Sequence, residues 1–139
     1  MKRAFSLIEL MVVIIILGIL TALVAPNVLG RGEQAKAKLA CVQMRNLAQS
    51  LEMFKMDNGV YPTTEQGLDA LVKNPDPERF KNFQSGGYLS AKTSPKDPWN
   101  KPYIYLFEGD EFEMISLGGD GKEGGAETNK DLRLSECEK

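Results

Sequence analysis

The sequence predicts an α+β fold, in which one long N-terminal hydrophobic α-helix is packed by a small globular head carrying a short antiparallel sheet. Three observations predict it. The chain opens on an almost unbroken apolar run, continues with an apolar stripe at helical spacing, and later carries two strand-like segments around a glycine turn. At 139 residues there is room for one small domain and one long element.

The apolar run is interrupted only by Gly18 and Thr21 between Leu10 and Val24. Counted over 5–25 it is roughly 21 residues, against the ~20 a helix needs to cross a bilayer. Lys2 and Arg3 precede it, which places the N-terminus in the cytoplasm and the rest of the chain outside. A secretory signal peptide also starts basic and then apolar. Here, however, the run is too long, Pro26 directly follows the small residue Ala25, and Glu9 puts a charge inside the apolar region. A carboxylate in hydrocarbon costs about 2.5 kcal/mol or more and usually marks function. No basic side chain on the segment lies within helical reach of Glu9, so its partner must come from elsewhere; a new N-terminal amine four residues upstream would serve.

Pro26 is expected to end or kink the helix, with Gly30 and Gly32 adding freedom. Periodicity then resumes. Ala40, Met44, Leu47, Leu51 and Phe54 make one stripe, while Lys36, Lys38, Arg45, Gln49, Glu52 and Lys55 lie away from it. Gly59 suits the left-handed position that closes the last turn. The stripe is the packing face for a head over 59–139. There Thr63 or Thr64 caps a short helix bearing Leu68, Leu71 and Val72, and residues 78–96 are irregular. Tyr103 to Phe107 and Phe112 to Leu117 form two strands around a Gly109-Asp110 turn, with Phe112, Met114 and Ser116 on one face.

Composition excludes several classes. There is no histidine among the residues, which removes the commonest general base and the partner that Ser or Cys nucleophiles need. A net charge of -2, from 17 basic and 19 acidic residues, argues against nucleic acid as a partner. The two cysteines, Cys41 and Cys137, form no CxxC pair. They either close a disulfide that pins the tail to the helix, worth on the order of 4 kcal/mol for so long a loop, or stand as independent thiols.

The run Lys2-Arg3-Ala4-Phe5-Ser6-Leu7-Ile8-Glu9-Leu10 resembles the processing signal of type IV pilins and type II secretion pseudopilins. Three later runs, Tyr61-Pro62-Thr63-Thr64-Glu65-Gln66-Gly67-Leu68, Gly86-Gly87-Tyr88-Leu89 and Asp97-Pro98-Trp99-Asn100-Lys101-Pro102-Tyr103, are similar in order to the major pseudopilins. The resemblance implies a pilin-like fold. It also implies a leader over 1–4 removed between Ala4 and Phe5, N-methylation of Phe5, and Glu9 as the acid that pairs with a neighbouring subunit. The family usually places Gly before the cut, where this chain has Ala4. The implied divisions are a filament-core and transmembrane helix over 5–25 and its periplasmic half over 26–58. The implied role is a non-enzymatic subunit that waits in the bacterial inner membrane, N-terminus cytoplasmic and head periplasmic, and polymerises into a periplasmic filament for export across the outer membrane. Its partners would be copies of itself, minor pseudopilins, the prepilin peptidase and N-methyltransferase, and the inner-membrane secretion platform. Pro98, Trp99 and Pro102 are expected to fix a loop and fill the core.

Residues 117–131 are rich in glycine and acid, which repels phosphate and leaves two readings, a calcium loop or a solvated flexible one. The resemblance implies calcium. Its ligands would be the Leu117 carbonyl, the Asp120 carboxylate, a carbonyl near Gly125, and acids further on, where Glu127, Thr128 and Asp131 stand. The family tends to have Asp where this chain has Glu127 and Thr128.

Two rival readings compete with the secretion filament. A type IV pilus subunit shares every N-terminal argument and differs in the C-terminal region. An anchored enzyme or ligand-binding module needs a catalytic constellation, and the residues offer none.

Overall fold

The computed structural model describes residues 3–138, without the side chains of 24–29 and of Thr128. Lys2 of the expected leader and the Thr128 side chain therefore lie outside the described residues. The chain divides into two compact units, Met1–Gln34 and Ala35–Lys139.

Helix α1 runs over Leu7–Asn58, 52 residues. The Ser6 hydroxyl opens it by accepting the Glu9 backbone N–H at 3.2 Å, the first half of a capping box in which Glu9 also lies in the positive first turn. Of the two outcomes expected at Pro26, an end or a kink, the helix does not end there, and both halves form one long helix as the fold expectation has it. A proline removes only its own donor, and the flanking turns keep theirs in an element this long. The far end is as expected: Asn58 is the last helical residue, and Gly59 at φ +83° donates its N–H to the Lys55 carbonyl at 2.7 Å.

In the first unit the apolar side chains of residues 7–23 stay exposed, Leu7 at 77% and Leu23 at 67%. Thr21, a polar interruption, returns its hydroxyl to the Leu17 carbonyl at 2.7 Å, so the helix satisfies it internally. Among the described residues no helix is long and apolar enough to cross a membrane. The described side chains stop at Leu23, short of Ala25, so the span expected over 5–25 reaches outside the described residues.

In the second unit the five residues of the predicted stripe are all buried, Ala40, Met44, Leu51 and Phe54 completely. Phe54 anchors the core, meeting Phe80, Phe83 and Tyr88 edge-on with ring centroids 5.3, 6.1 and 5.5 Å away. Each such side chain contributes about 1.5–3 kcal/mol by burial, before the added benefit of the aromatic geometry. Away from the stripe the exposed side chains are mostly polar, with Leu39, Val42, Met53 and Met56 among them, and half-buried Lys55 lies over the Tyr61 ring at 4.5 Å.

The sheet has three strands in the order β1 (Ile104–Glu108), β2 (Glu111–Ser116) and β3 (Leu132–Arg133), all antiparallel. Phe107 faces Phe112 and Tyr105 faces Met114 across the first pair. The alternation expected in β2 breaks at its end, because Ile115 is buried along with Met114 and Ser116. β3 covers that edge, which is why both faces close there. Neither β3 nor the one-turn helix α2 (Leu134–Cys137) is visible in the sequence pattern, since two and four residues carry no period.

The expected short helix is a 3-10 helix, Gly67–Leu71. Its N-cap is Gln66, with no side-chain cap, so neither Thr63 nor Thr64 caps it as expected; Thr63 closes the preceding turn, its hydroxyl accepting the Gln66 N–H at 3.2 Å while the Gln66 side chain accepts the Thr63 N–H at 3.0 Å. Thr64 has another task. Its hydroxyl accepts the Phe107 N–H at 2.9 Å and ties this segment to β1. Trp99 and Pro98 are only half-buried and Pro102 is exposed, so they do not fill the core as expected; Tyr103 does, at 8% exposure. Their loop is held by a buried carboxylate instead: Asp97 Oδ1 accepts the N–H groups of Trp99 at 3.0 Å and Lys101 at 2.8 Å.

Candidate functional site

Three places carry the residues that the sequence singles out. The first is the start of α1, where Arg3, Ala4, Phe5 and Glu9 line one cavity of 460 Å³. The chain leaves the helix at Leu7, so the backbone before it is free of helical hydrogen bonding at the Ala4-Phe5 bond. A terminal segment outside regular structure is the kind of site that peptidases cut. In the uncut chain Arg3 shares the cavity with Glu9. A cut after Ala4 would remove that guanidinium and put a primary amine on Phe5, one helical turn before Glu9.

The second place is the loop over 117–131, entered from β2 and left into β3. Its entry is fixed. Ser116 is fully buried, and its Oγ donates to Asp97 Oδ2 at 2.7 Å and accepts the Gly118 N–H at 3.4 Å. Within the loop Asp120 Oδ1 accepts the Lys122 N–H at 3.1 Å, and the Lys101 ammonium donates to the Gly119 carbonyl at 3.3 Å. Gly125, at φ +95°, lies so close to the Asn129 carbonyl that a Cβ would approach it to 2.3 Å. Glu127 begins a 3-10 turn, Glu127–Asn129, with its side chain exposed. Asp131 closes the loop by accepting the Gly124 N–H on Oδ2 at 2.9 Å.

Asp131 Oδ1 is buried and finds no hydrogen-bond partner among the described residues. An orphaned carboxylate oxygen costs free energy that a hard cation would recover. A divalent ion beside Asp131 therefore fits this one oxygen. Three acidic side chains do not gather anywhere among the described residues, so Asp120, Glu127 and Asp131 form no common acidic cluster. The fit rests on Asp131 rather than on the exposed Glu127.

The third place is the C-terminus of the chain's core. A disulfide joins Cys41 of α1 to Cys137 of α2, with Cα atoms 5.5 Å apart and the two cysteines 96 positions apart in sequence. The Arg45 guanidinium, one turn along α1, donates to the Cys137 carbonyl and satisfies the end of α2.

Four supporting residues escape a reading based on periodicity: Ser6, Arg45, Asp97 and Ser116. Ser6 and Asp97 had a signal, since Ser-x-x-Glu is a capping box and Asp before Pro-Trp-Asn is a turn initiator. Arg45 and Ser116 act on partners 92 and 19 residues away, and no local pattern announces them.

Comparison with known proteins covers most of the chain. The family described as type II secretion system protein G matches residues 27–135, and the prokaryotic N-terminal methylation motif matches residues 1–25. The type II secretion system core protein G of Pseudomonas aeruginosa is 50% identical over 137 residues, covering 94% of this chain and 93% of the relative. That of Vibrio cholerae is 47% identical over 133 residues, covering 94% and 90%. The crystal structure of the major pseudopilin from the type 2 secretion system of enterohaemorrhagic Escherichia coli is similar with a TM-score of 0.63 at 32% identity, over 78% of this chain and 93% of that one.

Proposed function

The chain belongs to the protein G family of the type II secretion system, and from that premise we propose how its own residues carry the work of a major pseudopilin. It is a structural subunit of the pseudopilus used for protein secretion, and the family is not enzymatic. Prepilin peptidase cuts between Ala4 and Phe5, and the new Phe5 amine is methylated. The uncut and cut subunits wait in the inner membrane, spanning it once with the head in the periplasm. Minor pseudopilins and the inner-membrane platform then bring them to the filament base.

One observation carries this reading: residues 7–23 expose apolar side chains on every face, with a single carboxylate, Glu9, in the first turn. Outside lipid such a surface must be covered, and the same segment of sister subunits is chemically matched cover. Glu9 would meet the Phe5 amine of its neighbour there, which sets the axial register and removes two unpaired charges together.

In the head, calcium would be held by the Asp131 carboxylate and the Leu117 and Gly125 carbonyls, with Asp120 as the second acid. The ion supplies positive charge that gathers the loop's oxygens. What the chain itself does is fix both loop ends, through Ser116 and β3.

Glu9→Gln tests the assembly step. The variant is expected to enter the membrane and be cut at Phe5, yet to yield no filaments. Normal filaments from it, seen by electron microscopy beside N-terminal sequencing that reads Phe5, would remove Glu9 from the mechanism.

A further inference from the structure

We propose that the disulfide between Cys41 and Cys137 is a positioning element for the metal loop, holding the segment that presents Asp131 so that calcium affinity depends on the bond. This rests on the calcium reading above.

The path from Asp131 to Cys137 is short and weakly held by anything else. β3 makes only two register pairs with β2, Ile115 with Arg133 and Ser116 with Leu132. α2 is four residues long, far below the length at which a helix sustains itself. Leu134 is buried and gives one apolar anchor. On the side facing α1, Leu134 and Cys137 join the core but the packing around them is incomplete. A cavity of 410 Å³ lies there, lined by Val42 and Arg45 of α1, Leu132 of β3, and both cysteines. The covalent bond and the Arg45 guanidinium on the Cys137 carbonyl span this gap. Without the bond, α2 keeps the Arg45 contact to the Cys137 carbonyl, the Ser135 N–H donated to Glu113 Oε1 at 3.2 Å and buried Leu134, and of these only the Arg45 contact ties it to α1 by a hydrogen bond.

Asp131 needs a fixed backbone. Its Oδ2 is occupied by the Gly124 N–H, and Oδ1 is the buried oxygen without a partner, so the carboxylate has one orientation in which Oδ1 serves a cation. Loosening the chain at residues 132–137 frees this carboxylate to turn toward water, and the ordering cost then falls on metal binding. The entry of the loop is held independently, by Asp97 and Ser116, so the disulfide governs the exit alone. Linkage makes the effect reciprocal, and bound calcium protects the disulfide by the same factor.

The test uses the full processed chain in detergent micelles and titrates calcium by isothermal calorimetry. The Cys41→Ser/Cys137→Ser double variant, checked for native far-ultraviolet circular dichroism, is expected to bind calcium about 10–100-fold more weakly, the range for groups that orient metal ligands. Should that variant not fold, the wild-type protein is treated with a dithiol instead. Two electrons and two protons pass from the dithiol, which closes to its own disulfide, and Cys41 and Cys137 become thiols. The equilibrium of this exchange is expected to shift toward the protein disulfide in saturating calcium by the same 10–100-fold that reduction weakens binding. Equal calcium affinity in the oxidised and reduced forms, with calcium bound in both, overturns the positioning role and leaves the calcium site standing. No calcium binding by the oxidised protein overturns both.

Discussion

The Ser116 hydroxyl donates to Asp97 Oδ2 at 2.7 Å, and both side chains are buried. This one contact joins the loop before β1 to the last residue of β2, and through the Gly118 N–H it sets where the glycine-acid loop begins. Among the described contacts Asp97 is thus the hub of five hydrogen bonds, three to its carboxylate, one from its backbone N–H to the Lys101 carbonyl at 2.7 Å and one accepted by its carbonyl from the Asn100 N–H at 2.9 Å.

Removing that carboxylate orphans two backbone donors and a hydroxyl. Asp97→Ala is expected to lower unfolding free energy by on the order of 2–4 kcal/mol, because the stranded donors cannot all reach water. Asp97→Asn keeps an acceptor for the Trp99 and Lys101 N–H groups and is expected to cost clearly less. Urea unfolding of the two variants checks this; equal losses would mean that the charge, not the acceptor geometry, is what the loop uses.

Asp131 makes the calcium reading quantitative. In the wild-type chain, calcium at 100 times its dissociation constant is expected to raise stability by about 2.7 kcal/mol, and chelator to remove it. Asp131→Asn keeps an acceptor for the Gly124 N–H but removes the charge, so its melting temperature is expected to be nearly the same with and without chelator. Asp120→Asn, at an exposed side chain whose Oδ1 meets only the Lys122 N–H among the described contacts, is expected to have the smaller effect. A full calcium response in Asp131→Asn would exclude that carboxylate as a ligand.

Much of the fold was legible because long periodic elements announce themselves. The stripe from Ala40 to Phe54, the Gly59 stop and the β1–β2 hairpin all follow from spacing and turn chemistry. Pro26 leaves the helix unbroken because a breaking propensity is local, while the α1 ladder that overrides it is long. The aromatic-and-proline run did mislead. Trp99 looks like core by size, but the polar Asp97 is what the interior takes in, since a carboxylate with three donors is satisfied there. In the loop the acids were legible as a class, but their ranking was not. Which oxygen is buried depends on β3, and a two-residue strand leaves no trace in the sequence.

Tyr61 gives the head an alkaline limit. Burial, then the hydrogen bond to Glu52 at 2.6 Å and that carboxylate's charge, push its phenol from the ordinary 10 up to about 12. Tyr88, Tyr103 and Tyr105 are raised as well, in each case first by burial. A phenol whose folded value is raised binds its proton more tightly when folded. The stability it contributes is whole below pH 10 and is lost as pH rises through about 12. Chemical unfolding measured across this window is expected to show stability falling with pH, in step with phenolate absorbance. Tyr61→Phe is expected to make that fall shallower without abolishing it, because the other three tyrosines still titrate. An unchanged slope would mean that Tyr61 ionises in the folded head as readily as in the unfolded chain.

Gly86 and Gly87 separate two reasons for a glycine. Both have positive φ, +87° and +80°, so either substitution by alanine carries the left-handed penalty of about 1–2 kcal/mol. Around Gly86 a Cβ would meet nothing within 4 Å, whereas at Gly87 it would fall 2.7 Å from the Val72 carbonyl oxygen and 2.8 Å from that of Leu71. The close approach exists because the next residue, Tyr88, donates its N–H to the Leu71 carbonyl at 2.7 Å and packs its ring on Phe54. Pushing the backbones apart breaks that bond and lifts Tyr88 from the core. Gly87→Ala is therefore expected to cost about 1–3 kcal/mol beyond Gly86→Ala, with loss of near-ultraviolet dichroism from the tyrosine environment in the first variant only. Matching stabilities for the two would show that conformation alone selects glycine here, and that the Gly87 contact with residues 71 and 72 is looser than its geometry implies.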